Sequence, residues 1–237
     1  MSFLILVRHG QSVWNLEKRF TGWVDIGLTK KGETEAEKAG LLIKEKKINI
    51  DYYYSSLQLR ATNTLNIIQT VLGHKKNFTK AWQLNERHYG ALTGLNKVEM
   101  SKKIGADKVH EFRRSWDVRP EALSKKSPYH PINIDAYKKI PSEILPDTES
   151  LKDTYNRVIK YFEKEIQKRL IDNNILISAH GNSIRALCKY LFDLDNMEIS
   201  KLEIPTGNPL VIKFDEKFKI NSCKYLDKAR AKNLLVF

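Results

Sequence analysis

The segment Phe3-Leu4-Ile5-Leu6-Val7-Arg8-His9-Gly10 is a short apolar run that ends in a basic side chain, an imidazole and a glycine. A second apolar run, Ile175-Leu176-Ile177, is followed closely by His180-Gly181. Runs of this length and composition predict buried strands of a parallel sheet. Ligands of such sheets bind beyond the carboxyl ends of the strands, so two neighbouring strands would bring both histidines together. The two segments therefore predict an α/β fold with a site for an anion at this edge.

Composition limits the classes of protein to which the chain can belong. The 237 residues include 41% hydrophobic residues, which is typical of a globular domain. The formal net charge is +13, but the lysines alternate with acidic residues, which favours solvated helix faces over a nucleic-acid surface. The apolar runs are far shorter than the roughly 20 residues of a membrane helix. With two cysteines that lack metal-like spacing, these features predict a cytoplasmic protein that binds neither nucleic acid nor membrane.

Strand-like runs alternate with amphipathic helical segments along most of the chain. Strands are predicted near 3–8, 52–55, 78–83 and 174–178, helices near 30–46, 57–72, 96–104, 107–116, 149–171 and from 183, and two edge strands over 209–225. The pattern predicts a three-layer sandwich in which helices flank a mostly parallel central sheet. We expect one domain over 1–237. The proline-rich stretch 117–148 interrupts this alternation and predicts a substrate-capping lid insertion at about 95–150. The tail at 227–237 is expected to be mobile or to pack on a neighbouring molecule.

His9 is the candidate nucleophile. An imidazole is nucleophilic at neutral pH when one ring nitrogen is unprotonated, and the charge of Arg8 lowers the pKa of the adjacent histidine. Phosphoryl transfer mainly needs positioning and donors around the phosphoryl oxygens. Arg60, near the start of a predicted helix, and His180 can supply them, and a helix that starts after Gly181 and Asn182 favours anions. Singly these residues are weak signals; their coincidence at predicted strand ends indicates a site.

Three longer motifs are more specific than Arg-His-Gly: Phe20-Thr21-Gly22-Trp23, Asn85-Glu86-Arg87-His88-Tyr89-Gly90 and Ile204-Pro205-Thr206-Gly207. With them, over about residues 3–225, the chain resembles the cofactor-dependent phosphoglycerate mutases of the histidine phosphatase superfamily. The resemblance implies interconversion of 3- and 2-phosphoglycerate in glycolysis and gluconeogenesis, through a phosphohistidine primed by 2,3-bisphosphoglycerate. It also implies a homo-oligomer, either a dimer or a tetramer.

The resemblance assigns a role to each matched residue. His9 carries the phosphoryl group, Glu86 is the general acid and base, and the other catalytic residues are Arg8, Arg60 and His180. The expected substrate-binding residues are Arg8, Gly10, Gln11, Ser12, Asn15, Thr21, Gly22, Arg60, Glu86, Arg87, His88, Tyr89, Lys97, Arg113, Arg114, Gly181 and Asn182. No metal is expected, because cations surround the histidines rather than carboxylates arranged as ligands. Considered alone, Glu86 could instead pair with Arg87, and His88 could be structural.

Two alternatives to a mutase stay open. A bisphosphoglycerate mutase or phosphatase, or a related histidine phosphatase, would use the same transfer residues, and Gln11, Leu59 and Thr93 depart from common family residues, which leaves the substrate preference in doubt. The extended 95–150 region with its basic residues favours a mutase, because small phosphatases of the superfamily usually lack it. A protein that only binds phosphoanions or nucleic acid would need neither a nucleophile nor a proton shuttle.

Overall fold

The computed structural model describes residues 1–74 and 77–231. Its centre is a six-stranded sheet with the order β3-β2-β4-β1-β5-β6. The last six residues of the predicted tail at 227–237 lie outside the described residues, so its mobility stays a prediction. The strands are β1 (Ser2–Arg8), β2 (Tyr52–Ser55), β3 (Thr79–Lys80), β4 (Ile175–Ala179), β5 (Leu210–Phe214) and β6 (Ile220–Tyr225).

The sheet is mixed but mostly parallel, as predicted. β4 pairs in parallel with β1 and β2, and β2 pairs in parallel with β3. β5 runs antiparallel to both β1 and β6. The prediction that the segment 209–225 forms two edge strands is therefore wrong for β5, which lies between β1 and β6. Its nearly continuous apolar sequence fits this interior position. A strand that is paired on both sides and covered on both faces has little contact with water.

The predicted helices are present with shifted boundaries, and two short helices, Val13–Leu16 and Asn196–Lys201, were not predicted. α2 begins after Thr29, whose Oγ1 accepts a hydrogen bond from Gly32 N, and α3 ends at Gly73, whose φ of 74° is left-handed. The helix predicted at 149–171 has a π-helical middle, Phe162–Gln167, between α6 and α7. The helices are α1 (Val13–Leu16), α2 (Lys30–Glu45), α3 (Leu59–Leu72), α4 (Lys97–Ile104), α5 (Ala106–Arg114), α6 (Leu151–Tyr161), α7 (Lys168–Leu170), α8 (Gly181–Phe192) and α9 (Asn196–Lys201).

Alternation along β1 divides the core into two layers. Leu4 and Leu6 lie in a cluster with residues of α6 and α8, including Val158 and Leu187. Ile5 and Val7 lie in a second cluster with residues of α2 and α3. Successive side chains of a strand point to opposite faces, so helices cover both faces of the sheet. The predicted three-layer sandwich is confirmed.

The proline-rich segment after α5 forms short 3-10 turns rather than a structureless loop. The turns are Pro131–Asn133, Asp135–Tyr137 and Ser142–Ile144. Tyr137 is buried against Trp23, with ring centroids 5.0 Å apart. The segment also contacts the loop after Glu86, since Ala91 N donates to Glu121 O at 2.8 Å. Its role as a lid stays a prediction, but its packing attaches it to the same side of the molecule as the carboxyl end of β1.

No helix within 1–74 and 77–231 is long and apolar enough to cross a lipid bilayer.

Replacing Leu6 with alanine is expected to lower the free energy of unfolding by about 2–5 kcal/mol, because the side chain is 1% exposed and its removal leaves a cavity. Leu41→Ala is the matched control. Leu41 is 54% exposed on α2, and its truncation should change stability by no more than about 0.5 kcal/mol. Urea unfolding followed by circular dichroism measures both. Equal losses in the two variants would contradict the placement of β1 in the core.

Candidate active site

Parallel pairing of β1 with β4 brings the two strand-end histidines together. Arg8 is opposite Ala179 in the register, and His9 N donates to Ala179 O at 3.0 Å. The rings of His9 and His180 lie with their centroids 5.0 Å apart, and both residues are buried. The structure thus places side by side two histidines that are far apart in sequence.

The hydrogen bonds of His9 determine which nitrogen can react. Nδ1 lies 2.7 Å from Gly10 O, and a carbonyl oxygen only accepts, so Nδ1 carries the hydrogen and Nε2 carries the lone pair. Gly10 itself packs so closely that a Cβ there would lie 2.0 Å from Gly32 O. The glycine is therefore required by the close approach of α2. It allows the backbone to hold the imidazole with Nε2 free.

Burial and neighbouring cations keep both histidines neutral. Burial lowers the pKa of His9 well below its ordinary value, and the charges of Arg60 and Arg8 lower it further. Burial and Arg60 likewise lower the pKa of His180. Its Nε2 lies 2.7 Å from Ser56 Oγ. An unprotonated imidazole among arginines is a nucleophile placed where an anion is attracted.

Arg60 and Arg8 are held by backbone carbonyls rather than by carboxylates. Buried Arg60 donates to Val24 O at 2.9 Å and to Gly22 O at 2.8 Å. Arg8 donates to Ile204 O at 2.7 Å. No carboxylate of the described residues binds either guanidinium, so their positive charges remain available to an incoming anion.

Nearby polar atoms point to the same ligand chemistry. Arg8 Nε, Thr21 Oγ1 and His180 Nδ1 are buried and have no hydrogen-bond partner among the residues that the structure describes. A phosphoryl group, with several acceptor oxygens, can satisfy such donors. The donor set therefore suits a phosphate ester.

Glu86 faces the same space from a loop. Its Oε1 accepts hydrogen bonds from Arg87 N at 2.8 Å and Asn182 N at 3.2 Å. The guanidinium of Arg87 instead donates to Phe112 O, so the contact between the two residues is through the backbone amide of Arg87. Glu86 lines a cavity of about 70 Å³ together with Arg8, His9, Asn15, Thr21, Gly22, Arg60, Tyr89, Lys97 and Arg113.

A second cavity, of about 110 Å³, adjoins the first one and shares Arg8, Glu86, Tyr89 and Arg113 with it. Cations from α5 and α8 contribute to its lining. The additional residues are Arg114, Gly181, Asn182, Arg185, Glu203 and Ile204. Burial lowers the pKa of Lys97 in the first cavity to about 8. Burial alone would raise the pKa of Tyr89, but the charges of Arg87 and Arg113 outweigh it and lower that pKa. The lowered pKa of Tyr89 indicates a strongly positive environment.

Sequence comparison is consistent with this geometry. The model of the histidine phosphatase superfamily, branch 1, matches residues 4–222. The chain belongs to the histidine phosphatase superfamily. A Pelagibacter ubique protein named 2,3-bisphosphoglycerate-dependent phosphoglycerate mutase is 67% identical over 238 residues, which cover 100% of both chains. A Caulobacter protein of the same name is 48% identical, over 99% of this chain and 98% of that protein. The solved structure of Bacillus stearothermophilus YhfR aligns with a TM-score of 0.69 and 21% identity over 93% of this chain and 95% of that one, which shows a shared fold.

Not every residue expected at this histidine phosphatase site lines one of these two cavities. Gln11 lines a larger cleft of about 570 Å³. This cleft shares Arg8, Asn15, Lys97 and Arg113 with the cavity of about 70 Å³. Ser12 caps α1. Arg87 lies under Tyr89, with its guanidinium 4.7 Å from the ring centroid. His88 accepts a hydrogen bond from Gly90 N and packs on His130. The side chains of Ser12, Arg87 and His88, like Gly10, support the site from outside the cavities.

Sequence reasoning missed several residues that build the site. Arg185 lines the second cavity and donates to Asn182 Oδ1 at 2.9 Å. The spacing of three residues on a helix would have placed it beside Asn182. Ser56 and Gln58 are buried polar residues that follow β2, and nothing in their local sequence distinguishes them from surface residues. Among the described residues, no group of three or more histidine, cysteine or acidic side chains could hold a metal ion.

Three buried neutral histidines predict that the protein loses stability in mild acid. Burial lowers the pKa of His88 to about 3, and the folded-state pKa values of His9 and His180 are also below normal. Below pH 6.5 the unfolded chain binds protons that the folded chain does not, so stability falls as the pH falls. Each histidine contributes a slope of up to about 1.4 kcal/mol per pH unit.

Urea unfolding between pH 6.5 and 5.0 measures this slope. His88→Asn keeps an acceptor for Gly90 N and removes one titrating group, so the slope should decrease by up to about 1.4 kcal/mol per pH unit. An unchanged slope in this variant would show that His88 is protonated in the folded protein.

Proposed function

We propose that the protein is a phosphoglycerate mutase, which interconverts 3- and 2-phosphoglycerate through a phosphohistidine on His9. The observation that carries this proposal is the shared cavity in which a neutral imidazole with a free Nε2 meets Arg8, the buried Arg60 and Glu86. The names of the Pelagibacter and Caulobacter relatives support the same activity. The pathway expected from this activity is glycolysis and gluconeogenesis.

The two adjoining cavities suit the two ends of the substrate. The cavity of about 70 Å³ offers Arg8 and Arg60 around the phosphoryl group that His9 receives, and the ring of His180 lies beside that of His9. Arg113 and Arg114, which line the cavity of about 110 Å³, are proposed to bind the carboxylate or a second phosphate of the substrate. Neutral donors from Asn15, Thr21 and the Asn182 amide complete the set. When bound, 2,3-bisphosphoglycerate supplies the phosphoryl group that primes His9, and the cation-rich cavities fit its charge.

The chemistry assigns the proton to Glu86. In the first step the free hydroxyl of the monophosphoglycerate attacks the phosphorus on primed His9, its proton passes to Glu86, and the nitrogen–phosphorus bond breaks. In the second step His9 Nε2 forms a bond to the other phosphorus of the resulting bisphosphoglycerate while the bond from that phosphorus to the substrate oxygen breaks, and Glu86 protonates that oxygen. The arginines stabilise charge on the three phosphoryl oxygens throughout.

The cellular compartment and the oligomeric state of the protein belong to the same proposal. Cys188 and Cys223 are both free and buried, which suits a reducing compartment such as the cytoplasm. The homo-oligomer, a dimer or tetramer, is expected from the family resemblance. No role in binding nucleic acid or membrane is proposed, because the basic residues that line the cavities suit a small phosphorylated acid.

The central experiment detects the phosphohistidine. After incubation with 2,3-bisphosphoglycerate, mass spectrometry of the peptide Leu4–Lys18 should show an acid-labile, base-stable phosphate. His9→Ala should remove it and lower the interconversion of 3- and 2-phosphoglycerate by at least about a thousandfold, because the variant has no nucleophile. Fast release of inorganic phosphate with negligible isomerisation would favour the phosphatase alternative. A protein that binds phosphoanions or nucleic acid but is not phosphorylated on His9 would favour the alternative of a protein that only binds.

Activity is expected to need no metal ion. The mutase rate measured after dialysis against a chelator should equal the rate before it, because arginines and an imidazole supply the charge stabilisation that a metal would otherwise give. Loss of activity that returns on addition of a divalent cation would contradict this expectation.

A further inference from the structure

The loop that carries Glu86 has no regular structure of its own. It lies between the 3-10 turns Trp82–Leu84 and Gly90–Leu92. A helix or strand would hold Glu86 through a backbone ladder, but a loop must be held by other contacts. The position of the carboxylate therefore depends on which groups bind the peptide groups of residues 83–88.

Arg157, on α6, binds this loop from behind. Its Nη1 donates to Gln83 O at 2.6 Å and to Asn85 O at 3.0 Å, and its Nη2 donates to the carbonyl oxygen of Glu86 at 2.9 Å. The guanidinium also lies 5.5 Å from the ring centroid of Trp23. One side chain thus holds three backbone carbonyls of the loop, including that of Glu86.

Glu149 fixes Arg157 and the other end of the loop. Its Oε1 accepts from Arg157 Nε at 2.7 Å, and its Oε2 accepts from Arg157 Nη2 at 3.0 Å and from His88 N at 2.8 Å. The side chains of Arg157 and Glu149 are only 9% and 6% exposed. A buried bidentate pair of this kind restricts the guanidinium to one orientation.

We propose that Arg157 and Glu149 are positioning residues for the proton transfer by Glu86. Neither lines the cavity of about 70 Å³ or that of about 110 Å³, so both act through the loop rather than on the substrate. On the opposite side Glu86 N donates to Gln58 Oε1 at 3.0 Å, so the Glu86 residue is held through both its amide and its carbonyl. This inference rests on the proposed function, because it assigns a proton transfer to Glu86.

The inference makes a prediction that depends on the leaving group. An alkoxide leaving a phosphate ester needs a proton, whereas p-nitrophenolate is stable enough to leave without one. A misplaced Glu86 should therefore slow phosphorylation of His9 by 2,3-bisphosphoglycerate and leave phosphorylation by p-nitrophenyl phosphate nearly unchanged. General loss of folded protein would lower both rates by the same factor.

The experiment measures both rates of His9 phosphorylation in Arg157→Lys, a variant that keeps the charge but cannot reach three carbonyls and a carboxylate together. We expect the rate with 2,3-bisphosphoglycerate to fall about 100-fold and the rate with p-nitrophenyl phosphate to change by less than about threefold. Glu149→Gln keeps an acceptor for His88 N and should show the same pattern with a smaller loss, about tenfold, with 2,3-bisphosphoglycerate.

Arg119→Lys is the matched control. Arg119 makes a bidentate pair with Asp153 on the surface, so both rates should equal those of the wild type. Equal losses with both phosphate donors in Arg157→Lys and Glu149→Gln, or no loss in either variant, would overturn the positioning role. A wild-type protein that accepts no phosphoryl group on His9 from 2,3-bisphosphoglycerate would overturn the proposed function first, and this inference with it.

Discussion

Parallel pairing of β1 with β4 is the constraint on which the rest of the site depends. The side chains of β1 alternate between two helix layers. A shift of one residue in this register would therefore move each of these side chains to the opposite face of the sheet. The hydrophobic core therefore sets the register, and the register places His9 beside His180 at one edge of the sheet. Neither histidine needs to contribute to stability for the pair to form. The location of the chemistry is a consequence of packing elsewhere.

The positive charge of the site is held in place without being neutralised. Within 1–74 and 77–231, carbonyl oxygens and not carboxylates bind the guanidinium groups of Arg8 and Arg60. Carbonyls satisfy the donors of a buried arginine while leaving its full charge to act on a ligand. The same charge, added to burial, keeps His9 unprotonated. Cation placement thus serves two needs at once, since it attracts an anion and preserves the lone pair that attacks it.

The sequence predicted the elements whose signal is local and missed those whose signal is not. Apolar runs and glycine-opened turns located β1, β4 and both histidines, because strand burial and a helix start are readable from neighbouring residues. The interior position of β5 was missed because pairing on both sides depends on distant strands. Arg185, Gln58 and Arg157 were missed for a related reason. Their partners lie on other elements, and an isolated polar residue on a helix reads as a surface residue.

Glu86 combines a local sequence signal with a position that distant residues determine. Its motif marked it as a site residue, yet its place in space is set by Arg157 and Glu149, which follow it by more than sixty positions. The sheet and α3 deliver the nucleophile and the arginines, but a group that moves a proton must also come within hydrogen-bond distance of the reacting oxygen. A loop can provide that reach only if it is held as firmly as a strand. The buried ion pair behind the loop supplies this rigidity, and the proline-rich segment, bonded to the loop through Ala91 N and Glu121 O, encloses its other end.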